Sequence, residues 1–183
     1  SNTVGGTLIV NGGTIEHLGG TDMAYAIDNL TNGKGTYAET IINGGLIKST
    51  YRAIRQFLNS DSCMNTLIVN GGTIESTKGN KSIWMQDPSK KANKGTLTVG
   101  VEAQLKSDVY LSVTEGSTEW PVFVSIASDA LVDGAKVATS NVPEGYMVVE
   151  ENGVWTVIEA TTVSTAQELA TAAAAGQDVF LTS

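Results

Sequence analysis

Thr66-Leu67-Ile68-Val69-Asn70-Gly71-Gly72-Thr73-Ile74-Glu75 repeats the earlier stretch Thr7-Leu8-Ile9-Val10-Asn11-Gly12-Gly13-Thr14-Ile15-Glu16. Between them lies a looser copy, Thr40-Ile41-Ile42-Asn43-Gly44-Gly45-Leu46-Ile47-Lys48. A fourth copy, Thr96 to Lys106, is one residue longer and has lost the Asn-Gly-Gly. Asn11, Asn43, Asn70 and Gly100 mark a recurrence of about thirty residues, the signature of a solenoid whose units must stack to bury a shared core. Leu67 and Val69 alternate with Ile68, and β-branched residues suit a pleated surface. Asn70-Gly71-Gly72 then turns the chain, because Asn and Gly tolerate positive φ cheaply.

An Asn-Gly turn also closes antiparallel hairpins, which is the structural rival. Against it, the arm after the turn is short, and Thr73-Ile74-Glu75 runs straight into a polar loop. A third apolar cluster follows in each unit: Tyr25-Ala26-Ile27, Tyr51-Arg52-Ala53-Ile54, Ile83-Trp84-Met85 and Val109-Tyr110-Leu111. Three short strands per period fit one rung of a parallel β-helix better than one hairpin. Equivalent residues then stack from rung to rung, with Leu67, Val69 and Ile74 facing the core and Asn11, Asn43 and Asn70 in a ladder of side-chain amides. Glu16, Lys48 and Glu75 form a second ladder of alternating sign.

The "LIVNGGTIE…YAI" pattern resembles the right-handed parallel β-helix proteins with a pectin-lyase-like fold. Within that group it is most similar to repeats of secreted gut-bacterial surface proteins and of phage fibre proteins. The resemblance covers the first two thirds of the chain. It implies an all-β, right-handed parallel β-helix of about four to five rungs over residues 1–141. The polysaccharide lyases of that group hold calcium on acidic residues of adjacent rungs beside a basic residue. Its hydrolases use paired carboxylates. None of their motifs is matched here, so the resemblance assigns no catalytic, cofactor-binding or metal-binding residue.

The rungs run from Ser1 to Gly35, Thr36 to Asn65, Thr66 to Lys94 and Gly95 to Trp120. Pro121 to Ile126 is a further strand, and Ala130-Leu131-Val132 is a last partial rung. Residues 142–158 change character. Asn152-Gly153 sits between two longer apolar runs and marks an antiparallel hairpin, with Tyr146 and Trp155 covering the end of the coil. Residues 159–163 read as a linker. Residues 164–183 resemble the capping helix and first strand that open β-helix domains in the same surface proteins, which implies that a second β-helix domain begins there. Ser164 or Thr165 is the N-cap, Gln167 or Glu168 completes a capping box, and Gly176 fits the C′ position.

Charge narrows the function. The 183-residue chain carries a formal net charge of −8, so nucleic acid is not an expected partner. Its basic cluster, Lys90, Lys91 and Lys94, sits beside Asp87-Pro88 in a loop. Cys63, the single cysteine, cannot form a disulfide within the chain and reads as a packed or idle thiol rather than a catalytic one. No long apolar run is present, so no membrane insertion is expected within this segment. Asp28, Arg52, Arg55 and Asp87 fall on or just after the third strands and share one face, where Arg52 and Arg55 offer surface pairs to Asp28 and Asp87. His17, the single histidine, reads as a surface residue. Trp84, Trp120, Trp155 and Tyr110 serve packing or line a sugar-binding surface. A regular Thr array of the ice-binding kind is broken by Leu46 between Thr14 and Thr73.

The expected function is non-catalytic: a rigid spacer or adhesive module of a larger extracellular protein, on a bacterial surface or in a phage virion fibre. Expected partners are flanking domains of the same parent chain, a host-surface glycan or protein, and two further copies if it builds a trimeric fibre. The alternative is a carbohydrate-binding or polysaccharide-degrading protein. No cofactor is expected.

Overall fold

A computed structural model describes residues 5–20, 24–79, 81–87, 94–113, 122–140, 142–143 and 145–181, and not the side chains of Asp87, Lys94, Val113, Val122 and Phe180. The chain forms a parallel β-solenoid. The first rung has strands β1 (Gly5–Val10), β2 (Thr14–His17) and β3 (Tyr25–Thr31). The second has β4 (Tyr37–Ile42), β5 (Leu46–Ser49) and β6 (Arg52–Leu58). In the third and fourth rungs the first two strands run on without a break, as β7 (Met64–Ser76) and β9 (Lys94–Leu105), before β8 (Lys81–Asp87) and β10 (Asp108–Val113). The fifth has β11 (Val122–Ala127), a 3-10 turn at Ser128–Ala130, a bridge from Leu131 to Leu105, and β12 (Val137–Ser140). The expected partial rung is therefore more complete than its apolar pattern indicates.

Equivalent residues stack in register. Val10, Ile42, Val69, Val99 and Ile126 form one inward column. Ile15, Ile47, Ile74, Leu105 and Leu131 form a second, and Ile27, Ile54, Ile83, Val109 and Val137 a third. Leu67, Val69 and Ile74 are all fully buried, as the repeat alignment requires. Through the second to fourth rungs these rows of aliphatic side chains are buried and exclude water, which is what makes the rungs cohere.

The Asn-Gly-Gly segment is a bend rather than a loop. Gly13, Gly45 and Gly72, the second glycine of each copy, lie at φ values of 84°, 95° and 91°. The first glycine does not adopt positive φ in any copy, which corrects the expectation that both hold turn conformations. Its constraint is space: a Cβ on Gly71 meets the Asn43 carbonyl oxygen at 3.1 Å. The extra residue of the fourth copy produces a register shift, since Val69 faces Val99 but Gly71 faces Glu102. A bulge absorbs one unpaired residue there.

The Asn ladder forms. Asn43 Nδ2 donates to Asn11 Oδ1, and Asn70 Nδ2 to Asn43 Oδ1, each at 2.8 Å. Gly100 carries no side chain to extend it. Lys48 lies between Glu16 and Glu75 in register and comes within 3.9 Å of Glu75 at the surface. Cys63 is buried, with its Sγ 3.3 Å from the Gly33 carbonyl oxygen.

At the far end, β13 (Tyr146–Glu151) and β14 (Val154–Glu159) form the expected hairpin, and β14 pairs antiparallel with β11. Asn152 and Gly153 both have positive φ, as a two-residue hairpin turn of this hand demands. Tyr146 and Trp155 pack against the core there. Thr161–Val163, in the stretch read as a linker, is a strand (β15) that pairs in parallel with β16 (Val179–Leu181). Helix α1 (Ala166–Ala174) joins them. Thr165 and Glu168 make its capping box, and Gly176 follows it at φ 66°.

Candidate functional site

The third strands build a five-stranded parallel sheet in the order β12-β10-β8-β6-β3. Its inner side carries the third core column. On β6, Ala53 and Ile54 are buried in succession, and on β8 so are Ser82 and Ile83. After this shared irregularity alternation resumes, and Arg55, Phe57, Trp84 and Tyr110 are only half-buried between buried neighbours, with Gln86 and Ser112 half-buried beyond them. Parallel register then lines up residues far apart in sequence. Tyr25, Arg52 and Lys81 form one outward column, and Asp28, Arg55, Trp84 and Tyr110 form the next.

These columns interlock. Arg55 donates to Asp28 through Nε at 2.8 Å and through Nη2 to the other carboxylate oxygen, a bidentate pair. Its guanidinium carbon lies 4.4 Å from the centre of the Tyr25 ring and 4.5 Å from that of Phe57. The Arg52 guanidinium sits 4.2 Å from the Trp84 ring, and its Nη1 donates to the Tyr25 hydroxyl at 3.2 Å. Lys81 Nζ lies 4.4 Å from the Tyr110 ring and 5.2 Å from Trp84. Trp84 Nε1 donates to Ser112 Oγ at 2.9 Å. The cation–ring contacts fall within cation–π range, and those of Arg55 with Tyr25, Arg52 with Trp84 and Lys81 with Tyr110 join different rungs. Burial lowers the Arg55 pKa, but the hydrogen bond and charge of Asp28, with Tyr25, outweigh it and hold the guanidinium above its ordinary value.

The expected grouping of Asp28, Arg52 and Arg55 on one face is present, and Asp28 pairs with Arg55. Asp87 ends β8 on the same sheet, but its side chain lies outside the described residues, as do Trp120, Lys90 and Lys91. Trp155 belongs to the hairpin, away from this sheet. His17 is not simply a surface residue. It is half-buried at the end of β2, and its Nδ1 is turned away from water with no hydrogen-bond partner among the described residues. Thr14, Leu46 and Thr73 share one register, so Leu46 does interrupt that Thr row. Sequence reasoning missed the parts played by Tyr25, Phe57 and Lys81. Aligning the third strands on Ile27, Ile54 and Ile83 reveals them.

Inside the coil a buried amide network replaces aliphatics at one level. Asn29 Nδ2 donates to Asn65 Oδ1 at 2.6 Å, and Asn65 Nδ2 returns to the Asn29 carbonyl at 2.6 Å. Gln56 Nε2 bonds to the carbonyls of Asn65 and Thr96. The network ties β3, β6, β7 and β9 together, because buried amides are costly unless paired.

Among the described residues no group of three His, Cys, Asp or Glu side chains is placed to hold a metal ion, and no helix is long and apolar enough to cross a membrane. Chemically, the outward face offers stacking surfaces and fixed cations. Comparison with protein-family models, curated proteins and solved structures found no match to this chain. The fold therefore rests on the coil geometry itself.

Proposed function

We propose that this chain is a non-catalytic structural or adhesive module of a larger extracellular protein, on a bacterial cell surface or in a phage fibre. The observation that carries this reading is the cation–aromatic lattice of the outward face, where Arg52, Arg55 and Lys81 each bridge rungs through neighbouring rings. Cations held this way brace a rod against shear between rungs. They are less suited to act as a proton-transferring base, which needs a free lone pair near the reacting atom. Flanking domains of the parent chain, and a host-surface glycan or protein, are the partners such a rod would serve. A fibre would be a homotrimer.

The test is release of unsaturated or reducing ends from a broad glycan panel, with and without calcium. No release is expected. Activity that disappears in both Arg52→Ala and Asp87→Ala, with folding retained, overturns this reading. Sedimentation at micromolar concentration separates the two settings, since a trimer favours the fibre and a monomer the surface module.

A glycan-binding role is the second reading, favoured by the half-exposed Trp84 and Tyr110 side by side in register. Aromatic faces of this kind stack on sugars through their apolar sides. Binding on a glycan array that is lost in Trp84→Ala supports it, and binding unaffected by that change removes the face from consideration.

A further inference from the structure

The two ends of the coil differ. At one end β14 covers β11 in antiparallel pairing, and the ladder asparagine has given way to Gly100. At the other, β1 pairs only with β4 among the described residues. Val10 and Ile27 stay buried there, but Ile15 is partly exposed. Leu8 is 42% exposed, while its register equivalents Leu67 and Leu97 are fully buried. A cleft of about 400 Å³ lies at this end, with Leu8, Asn29, Leu30 and Thr40 in its walls.

The Asn ladder has a direction. Each later asparagine gives its Nδ2 to the Oδ1 of the rung before it. Asn11 Oδ1 is thus occupied by Asn43, while its own Nδ2 has no acceptor among the described residues. The end presents an amide donor, a strand edge and the exposed Leu8.

We infer that the first rung is a stacking face for a further parallel rung of the same repeat, supplied by polypeptide preceding Gly5 in the parent chain. Such a rung puts an asparagine Oδ1 over Asn11 Nδ2 and aliphatic side chains over Leu8, Val10 and Ile15. A second copy fits poorly. A two-fold related copy sets Asn11 Nδ2 against Asn11 Nδ2, donor to donor. A head-to-tail copy meets the antiparallel hairpin, whose β14 already occupies the edge of β11. The inference shares with the proposed function only the premise that the module belongs to a longer chain, and it is independent of ligand binding or catalysis.

The test places a copy of residues 37–63 directly before Gly5, which preserves the spacing between successive first strands. Hydrogen exchange is read at the amides of Gly5–Val10 that do not donate to β4. At least a tenfold slowing is expected, with a smaller slowing when the copy carries Asn43→Ala. A control inserts the same copy between Cys63 and Met64, where it stacks on both sides. Three results overturn the inference. One is unchanged exchange with a protease-sensitive extension while the internal insertion folds. Another is failure of both insertions, which denies in-register stacking of the repeat. The third is concentration-dependent protection of the same amides in the unextended chain, which makes a second copy the occupant.

Discussion

Leu67→Ala is the sharpest probe of the coil. Leu67 is fully buried, flanked in register by Thr40 of β4 and Leu97 of β9. The change removes three carbons, and at about 0.8 kcal/mol per buried methylene the transfer cost is roughly 2.4 kcal/mol. A cavity adds to it. Both neighbouring strands are fixed by ladder hydrogen bonds to β7, so their backbones cannot close the gap. The total falls at about 3–4 kcal/mol, inside the range measured for leucine truncation in cores. Urea denaturation followed by circular dichroism reads it as a lower midpoint. An unchanged slope confirms that the same cooperative unit unfolds. Ile68→Ala, one residue along and facing outward, serves as the control and should cost well under half as much. A loss below about 0.5 kcal/mol for Leu67→Ala, the usual surface value, refutes the inward assignment and with it the register of the repeat.

Gly72→Val should harm folding more than Gly71→Val, and both more than Asn70→Ala. Gly72 combines positive φ with a Cβ position 2.7 Å from the Gly45 carbonyl oxygen, whereas Asn70 loses one exposed ladder bond. Equal and mild losses of thermal stability in all three would show that the bend carries no constraint. Gly79→Ala should be as severe as Gly72→Val, because the added methyl would run into the Tyr51 backbone; near-wild-type melting would disprove that close approach. Helix α1 should fray in acid. Hydrogen bonds from Ser164 and Thr165 hold the Glu168 carboxyl below its ordinary pKa, so its capping contribution is intact above the usual glutamate range and fades as pH falls below it. Amide exchange across residues 166–174 measures this, and a pH-independent profile matching that of Glu168→Ala would count against the box. Arg55→Lys should weaken the junction of β3 and β6, since an ammonium cannot form the bidentate pair with Asp28 or stack on Tyr25 and Phe57 together; unchanged exchange in β3 would show the pair to be ornamental.

Much of this molecule was legible in its letters. The repeated Leu-Ile-Val-Asn-Gly-Gly-Thr-Ile-Glu determines the stacked coil, because identical segments that each need a buried partner satisfy one another only by lying in register. The same local logic marks the Asn152-Gly153 hairpin and the Thr165–Glu168 capping box, which are settled within a few residues by backbone φ and by hydrogen bonds to adjacent amides. The fifth rung was harder to see, since Val137–Ser140 has little apolar pattern of its own and is a strand only because β10 offers it an edge. Thr161–Val163 reads as a linker for the same reason, its pairing partner being β16 on the far side of a helix. The division of labour between Gly71 and Gly72 depends on how closely the neighbouring rung approaches, which composition does not record. The outward face shows the limit most clearly. Tyr25, Arg55, Trp84 and Tyr110 come from four rungs separated by loops of uneven length, and nothing in their sequence neighbourhoods marks them as companions. Only parallel pairing, which converts a spacing of about thirty residues into the 4.8 Å or so between adjacent strands, brings ring and cation within reach of each other.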